Sequence, residues 1–318
     1  MTVKSIGPEA NRTLYWEITD ICGLRCKYCW YQKRALHKKR KVVGLNFLET
    51  IPVIASQFNE VVFTGGEVLD HPYLIKLIQK VYDQGLKFTL ITNGIGLQNK
   101  LLEEIMDFKP MAILISLDSL NTQINDWQRP PAKSNSHDIS RKIIQNICEY
   151  SNKYNEATPC TILQTITRYN INCISDMFDF ARQHGIRHLI RLAEIDGRRD
   201  ELAKLGINNW PEKDLTRFYT LFLDWAQQVK TIDYYNIVMY LLGKIKNLKV
   251  QCTMGRSNFF LDLEGNLHPC FHRREIKFGN ILTDDLIKML SIDPGQEKIN
   301  PSCLCLGCAC LCKLENSY

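Results

Sequence analysis

The 318-residue sequence has no run of about 18 or more apolar residues, so no membrane-spanning helix is expected. Met1–Arg12 lacks a continuous apolar stretch followed by a small-residue cleavage site, which excludes a secretory signal and leads us to expect a cytoplasmic protein. No internal repeat is found, so a stacked repeat architecture is not expected. Charge of one sign is not in large excess. The net +6 is mild, and much of it sits in one run: Lys33, Arg34, His37, Lys38, Lys39, Arg40 and Lys41. Aromatics do not interleave these charges, so a nucleic-acid surface is not expected. The run reads as a solvated loop, or as a contact for an acidic substrate, a leader peptide or a phosphate.

What is present is cysteine, thirteen in all. In a reducing compartment these are not disulfides. Three lie within Cys22–Cys29 and five within Cys303–Cys312. Cys252 and Cys270 precede the second group, and only Cys148, Cys160 and Cys173 fall between. Clustered cysteines in such a chain read as metal sites.

The rest is ordinary for a globular protein of this length, with 45% hydrophobic and 23% charged residues. Strand-like and helix-like segments alternate. Strands are expected at Thr13–Thr19, Val61–Thr64, Lys87–Thr92, Met111–Leu117, Thr161–Thr167 and His188–Ala193. Helices are expected at Leu45–Phe58, His71–Asp83, Leu101–Asp107, Ser140–Ser151 and Ser175–His184. Uninterrupted apolar strands between helices indicate a parallel sheet covered by helices, and ligands of such sheets bind beyond the strands' carboxyl ends. By position, Gln164, Thr165 and Arg191 point to that end. After about Arg199 the pattern changes. Asp214–Val229, Ile237–Ile245 and Asp284–Leu290 read as helices, and Phe259–His268 as a hairpin turning at Gly265.

Cys22, Cys26 and Cys29 are spaced C-x3-C-x2-C in CGLRCKYC. Three thiolates reach three irons of one [4Fe-4S] cube and leave the fourth open, whereas electron-carrying clusters use four cysteines. The alternative is zinc, for which His37 would be the fourth ligand.

CGLRCKYC after a first strand, with Gly65, Gly66 and Glu67 (FTGGE) after a second, resembles the radical S-adenosylmethionine (SAM) superfamily. The resemblance implies a [4Fe-4S] cluster whose open iron chelates SAM. Reductive cleavage then yields a 5′-deoxyadenosyl radical that abstracts a hydrogen atom. It implies that Tyr28 packs near the adenine, and that Gly65, Gly66 and Glu67 hold the SAM amino group, glycine allowing close backbone approach. Val68 stands where the family usually has proline. Asn93 in Thr92–Asn93–Gly94, and Ser116 and Asp118 in Ser116–Leu117–Asp118, resemble the family's third- and fourth-strand ends, which approach SAM or substrate. Gly197–Arg198 resembles a segment after the sixth strand. For each, the competing reading is a residue that caps a helix or turn.

At the other end, Cys252 and Cys270 (C-x17-C) followed by Cys305 and Cys308 (C-x2-C) offer four thiolates, enough for a fully ligated cluster. The arrangement resembles the twitch domain, the shortened form of the SPASM extension, and implies one auxiliary [4Fe-4S] cluster. Phe278–Ile281 also matches the segment that usually follows. A zinc knuckle is the alternative. Cys303, Cys310 and Cys312 are spare, and a spare thiol is a candidate hydrogen donor to a substrate radical.

The expected fold is α/β: a partial (β/α)6 TIM-like radical SAM barrel with a small C-terminal cysteine-rich twitch/SPASM-like domain. Residues 1–12 form an N-terminal extension, 13–200 the barrel, 201–250 a helical connection and 251–318 the auxiliary iron–sulfur domain. The expected enzyme is a radical SAM oxidoreductase or maturase taking electrons from a flavodoxin or ferredoxin. Its expected substrate is a ribosomally made peptide that it crosslinks, epimerises or oxidises. The alternatives are a dehydrogenase or epimerase of a carbohydrate or aminocyclitol, and a non-catalytic iron–sulfur or zinc protein. With only about a dozen residues before the first strand, no peptide-binding module is expected ahead of the barrel, which counts mildly against a leader-peptide enzyme.

Overall fold

The computed structural model describes residues 12–29, 41–132, 139–154, 160–193, 204–231 and 255–292, with a few more between 235 and 246. Six apolar segments form parallel strands: β1 (Thr13–Thr19), β2 (Glu60–Gly65), β3 (Lys87–Thr92), β4 (Ala112–Ser116), β5 (Cys160–Ile166) and β6 (Arg187–Leu192). They lie in the order β6-β5-β4-β3-β2-β1, each paired with its sequence neighbour. Parallel neighbours need crossovers. The chain supplies helices α1 (Ile51–Ala55), α2 (Leu74–Asp83), α3 (Asn99–Asp107), α4 (Thr122–Gln128), α5 (Ile139–Tyr154) and α6 (Cys173–Gln183) between them. This is the TIM-like partial barrel expected of the alternating pattern.

One face of the sheet carries the main core. Leu14, Trp16 and Ile18 of β1, Val61 and Phe63 of β2, and Ile113 and Ile115 of β4 pack with helix residues such as Leu77, Ile78, Ile105 and Ile147. The period of two sends their neighbours inward. Tyr15, Val62 and Phe260 meet Ile91 and Cys270, while Leu114 and Leu163 meet Leu189. Nearer the strands' carboxyl ends, this inner face becomes polar at Glu17, Thr64, Ser116, Thr165 and Arg191, which continue the same alternation.

The β1 edge of the six strands is covered by further strands, which blocks edge-to-edge pairing there, and a helix packs on the outer face of β6. Beyond β6, α7 (Glu212–Gln228) stacks Phe218, Phe222 and Trp225 on one face, with ring centroids 5.0 and 5.5 Å apart, against Ile190 and Leu192. Beyond β1, β7 (Asn258–Leu261) pairs parallel to it, Tyr15 opposite Phe260. β8 (Asn266–His268) and β9 (Gly279–Asn280) continue the sheet antiparallel, ahead of α8 (Leu286–Leu290). The expected hairpin is therefore hydrogen-bonded into the barrel sheet, and Gly265 turns it at φ +86°.

Three local expectations change. The single helix over Leu45–Phe58 is a 3-10 turn, Leu45–Thr50, followed by α1. Pro52 opens α1 because its missing N–H is tolerated only in a first turn. The helix expected from His71 starts at Leu74, since His71 Nδ1 accepts from Tyr73 N–H at 3.1 Å and holds the chain short of the helix. Helix α4 is one that hydrophobic periodicity does not announce. Its cap is visible: Asn121 Oδ1 accepts from Gln123 and Ile124 N–H at 3.0 and 3.3 Å. The helix expected at Ile237–Ile245 lies partly outside the described residues, Gly197–Arg198 wholly so, and most of the basic run is outside them too. No helix among the described residues is long and apolar enough to cross a membrane.

Candidate functional site

Cys22, Cys26 and Cys29 lie on the loop leaving β1. Cys26 is buried, and the other two are partly exposed. The loop is held as half of a short antiparallel ladder with residues 128–132. Arg25 N–H donates to the Pro130 carbonyl (2.7 Å), Lys27 N–H to Gln128 (2.8 Å) and Ala132 N–H to Gly23 (2.8 Å), with Leu24 opposite Pro131. Pro130 and Pro131 suit this role because each favours extended backbone before it. Arg25 Nη1 secures the loop further by donating to the Cys22 and Leu24 carbonyls at 2.9 and 2.8 Å.

The expected glycines sit against this loop. Gly66 N–H donates to the Thr19 carbonyl and Glu67 N–H to that of Ile21, both at 2.6 Å. A Cβ on Gly65 would lie 2.2 Å from Thr19 O, and one on Gly66 2.2 Å from Ile21 O. Gly65 also has φ +137°. The two glycines thus let the end of β2 touch the root of the cysteine loop.

Glu67 is buried. Its carboxylate accepts from Thr92 Oγ1 (2.5 Å), Asn93 N–H (2.6 Å) and Leu69 N–H (3.1 Å), tying the end of β2 to that of β3. Burial pushes its pKa up to about 7, against these hydrogen bonds, which pull it down. Asn93 comes to the cysteines, with its Nδ2 4.0 Å from Cys22 Sγ.

Tyr28 and Asp118 meet. Tyr28 Oη donates to Asp118 Oδ2 at 2.5 Å, and Arg129 Nη1 donates to Tyr28 Oη at 2.7 Å while lying 3.6 Å from Asp118 Oδ1. Thr165 N–H donates to Asp118 Oδ1 at 3.0 Å. Burial raises the Asp118 carboxyl above its usual range, with the Arg129 charge opposing. Ser116 ends β4 on the inner face, opposite Leu163.

Thr165 and Arg191 are register partners on the inner face. Gln164 is not with them. Its Nε2 donates to the Asp118 carbonyl at 3.0 Å, and its Oε1 faces His188 Nε2 at 3.0 Å. His188 in turn packs against Phe178 and Trp225 on the helix side. Adjacent strand residues point to opposite faces, so Gln164 and Thr165 cannot share one. Sequence reasoning passed over Arg129. Its signal was the pair of prolines that follows it, which disfavours helix at Arg129 and Pro130.

Of the auxiliary cysteines, Cys270 is described. It is buried at the turn after β8, beside Tyr15 and Val62. Arg274, from the same turn, lies over Phe260 and Phe271 at 4.3 and 4.7 Å and donates to Glu17 Oε2 of β1 at 2.6 Å. Asp262 accepts from His268 Nε2 at 3.0 Å, while His268 Nδ1 faces the Ile276 carbonyl at 2.8 Å. Burial would raise Asp262, but its hydrogen bonds from His268 and from the backbone and side chain of Asn266 outweigh it and hold the carboxyl at about 2. Cys252, Cys303, Cys305, Cys308, Cys310 and Cys312 lie outside the described residues.

The donor set at the first site fits an iron–sulfur cube. Three unbridged thiols lie on one loop and feel one another's charge. Burial pushes Cys22 up to about 11 and Cys26 to about 12, so metal must displace their protons. Arg129 Nε is buried without a hydrogen-bond partner.

A three-cysteine loop at the mouth of a partial parallel barrel, backed by a glycine–glycine–glutamate turn, defines a class of cluster-bearing barrel enzymes. Residues 16–189 match the Radical SAM superfamily, and the chain belongs to it. Membership carries the cofactor set, a [4Fe-4S] cluster with S-adenosylmethionine, and places the chain among enzymes. Among curated proteins, it is 24% identical over 277 residues to the antilisterial bacteriocin subtilosin biosynthesis protein AlbA of Bacillus subtilis, covering 85% of this chain and 57% of that protein. The chain thus spans under two thirds of the length of that relative. It is 20% identical over 280 residues to the AdoMet-dependent heme synthase of Methanosarcina barkeri, covering 82% and 77%. Among solved structures, Streptococcus suis SuiB bound to S-adenosylmethionine matches with TM-score 0.68 at 16% identity over 94% of this chain and 71% of that one. AnSMEcpe with bound AdoMet matches at 0.67 and 17%, over 90% and 82%. At such identities the likeness shows the shared fold.

Proposed function

We propose that this chain is a radical SAM tailoring enzyme acting on a ribosomally made peptide. Cys22, Cys26 and Cys29 hold its catalytic cluster. Cys252, Cys270, Cys305 and Cys308 hold one auxiliary [4Fe-4S] cluster. When bound, the cluster and SAM supply a 5′-deoxyadenosyl radical that abstracts a substrate hydrogen. The chain's own residues orient and shield it. The ladder with residues 128–132 fixes the cysteine loop, Glu67 locks the β2 and β3 ends, and Tyr28 is pinned by Asp118 and Arg129. The polar rim at Ser116, Thr165 and Arg191 receives substrate polar groups. The apolar floor of Tyr15, Val62, Leu114 and Leu189 keeps water out. Electrons come from a flavodoxin or ferredoxin in a cytoplasmic setting.

The observation that carries the chemistry is the three-thiol loop clamped to the Gly65–Glu67 turn. The peptide assignment is supported by AlbA, a bacteriocin biosynthesis protein, and by the fold of SuiB, which has been crystallised with its precursor peptide SuiA.

The test has two arms. Protein reconstituted with iron and sulfide, given SAM and a strong reductant, is expected to form 5′-deoxyadenosine. A full cluster without that product overturns the radical chemistry, and zinc without iron favours a non-catalytic metal protein. Deuterium transfer into 5′-deoxyadenosine is then read with deuterium-labelled candidate peptides and sugars, and transfer from a peptide is expected. Transfer from a labelled sugar instead overturns the peptide assignment in favour of a carbohydrate dehydrogenase or epimerase.

A further inference from the structure

The residue that faces the cysteine loop across the ladder is Arg129. Leu24 opposite Pro131, with Arg25 N–H on Pro130 and Lys27 N–H on Gln128, sets a register that puts Arg129 opposite Cys26. Opposed residues of an antiparallel ladder project their side chains to the same side, with Cα atoms about 4.5–5.5 Å apart. The Arg129 side chain is 7% exposed. Its Nη1 is used by Tyr28 and Asp118, but its Nε is buried without a hydrogen-bond partner.

Charge arithmetic gives this orphan atom meaning. Asp118 brings one negative charge to this cluster of side chains. Arg129 brings one positive charge, and Arg191 on β6 brings another. Arg191 is the register partner of Thr165, whose N–H bonds Asp118, and its Nε is also buried without a partner. Among these groups one positive charge is left over; Arg191 is partly exposed, whereas Arg129 lies almost wholly away from water, where an uncompensated charge is costly. If Arg129 served only to staple the cysteine loop to Asp118, one arginine for one aspartate would suffice. An oxidised [4Fe-4S] core on three thiolates carries one net negative charge, and its reduced form carries two.

We propose that Arg129 is the charge-compensating residue of the SAM cluster: its guanidinium, opposite Cys26, stabilises the cluster's negative charge and so raises its reduction potential. The inference rests on reading Cys22, Cys26 and Cys29 as cluster ligands. The guanidinium acts through space, favouring the more negative reduced state over the oxidised one, as a fixed cation in a low-dielectric site must.

The test is an anaerobic redox titration, followed by electron paramagnetic resonance, of the reconstituted full chain and of Arg129→Gln and Arg129→Lys, with iron content measured in each. R129Q is expected to load iron and show a lower midpoint potential. R129K keeps the charge while giving up the planar fork, and it is expected to return most of the way to the wild-type potential. An R129Q potential equal to wild type overturns the proposal. So does an R129K potential as low as that of R129Q, because the role is then the fit of the fork to Tyr28 and Asp118. If R129Q retains no iron, R129K decides: iron restored by lysine supports charge compensation, and iron lost there too overturns it. Wild-type protein with no cluster signal would instead sink the functional reading itself. A normal wild-type cluster indifferent to R129Q sinks only this inference.

Discussion

Replacing Gly66 by alanine tests whether the glycine pair exists for contact with the cysteine loop. The new Cβ would stand 2.2 Å from Ile21 O, 2.7 Å from Ile21 C and 2.8 Å from Asp20 C. All three are backbone atoms, so no side chain can swing away. Ordinary contact begins near 3.4 Å, which requires the end of β2 and the loop root to part by about 1.2 Å. The hydrogen bonds from Gly66 and Glu67 N–H, now 2.6 Å each, would then stretch to roughly 3.8 Å and cease to be hydrogen bonds. Two buried bonds lost, at ~1–2 kcal/mol each once the stranded donors are included, put the cost at roughly 2–4 kcal/mol. Gly23 is the control. It lies in the same loop, but a Cβ there meets nothing within 4 Å. Urea denaturation of the metal-free protein should show Gly66→Ala destabilised by that amount and Gly23→Ala nearly neutral, and after reconstitution only G66A should be deficient in iron. Wild-type stability and iron content in G66A would refute the close-approach argument.

Glu67 makes a pH prediction. Its folded pKa is raised from 4.5 to about 7, so between those values the native state holds a proton that the unfolded chain has released. Stability from this group is therefore greatest below about 4.5 and falls as pH rises toward 7, by on the order of 3 kcal/mol. Urea midpoints from pH 5 to 8 should show that fall in the wild type and not in Glu67→Gln; equal slopes would mean the carboxyl titrates elsewhere. Arg274→Met should cost about 3–5 kcal/mol, because it breaks the ion pair between Arg274 and the buried Glu17 carboxylate. A thermal melt of the double variant with Glu17→Gln should recover part of that loss, and strict additivity would show that the pair is not coupled. Phe222→Ala, in the stack that covers β6, should cost about 3–5 kcal/mol in urea unfolding and leave the iron content of the folded protein unchanged. Iron loss there would mean that this edge of the sheet supports the cysteine loop.

The six parallel strands were legible because each is an uninterrupted apolar segment bounded by turn residues, and their ends moved by no more than a residue or so. The edge that receives the hairpin was not legible. Phe259–His268 reads as two strands about Gly265, but nothing in those residues says that Phe260 will lie opposite Tyr15, over two hundred positions away. Helix α4 was missed for a local reason. TQINDWQ has too few apolar residues to show a period, and its signal is the single cap at Asn121.

The site shows the same division between what spacing reveals and what only contact reveals. Spacing located Cys22, Cys26, Cys29 and the Gly65–Glu67 turn, because the thiols of one loop are close in sequence. Partnership across the barrel mouth obeys no spacing. Glu67 reads from sequence as a free negative charge, yet its oxygens face Thr92 and the N–H groups of Leu69 and Asn93. A carboxylate so engaged works first by holding the ends of β2 and β3 at a fixed separation, and any charge it lends to a ligand must pass through that clamp. The same reasoning sets Arg129 beside Cys26, although they stand 103 positions apart in the sequence. A hydrogen-bonded register brings them together, and two prolines that disfavour helix at Arg129 and Pro130 let α4 end where that register begins. The cysteines were thus visible from their own neighbourhood, while the charged side chains set beside them were placed by the fold.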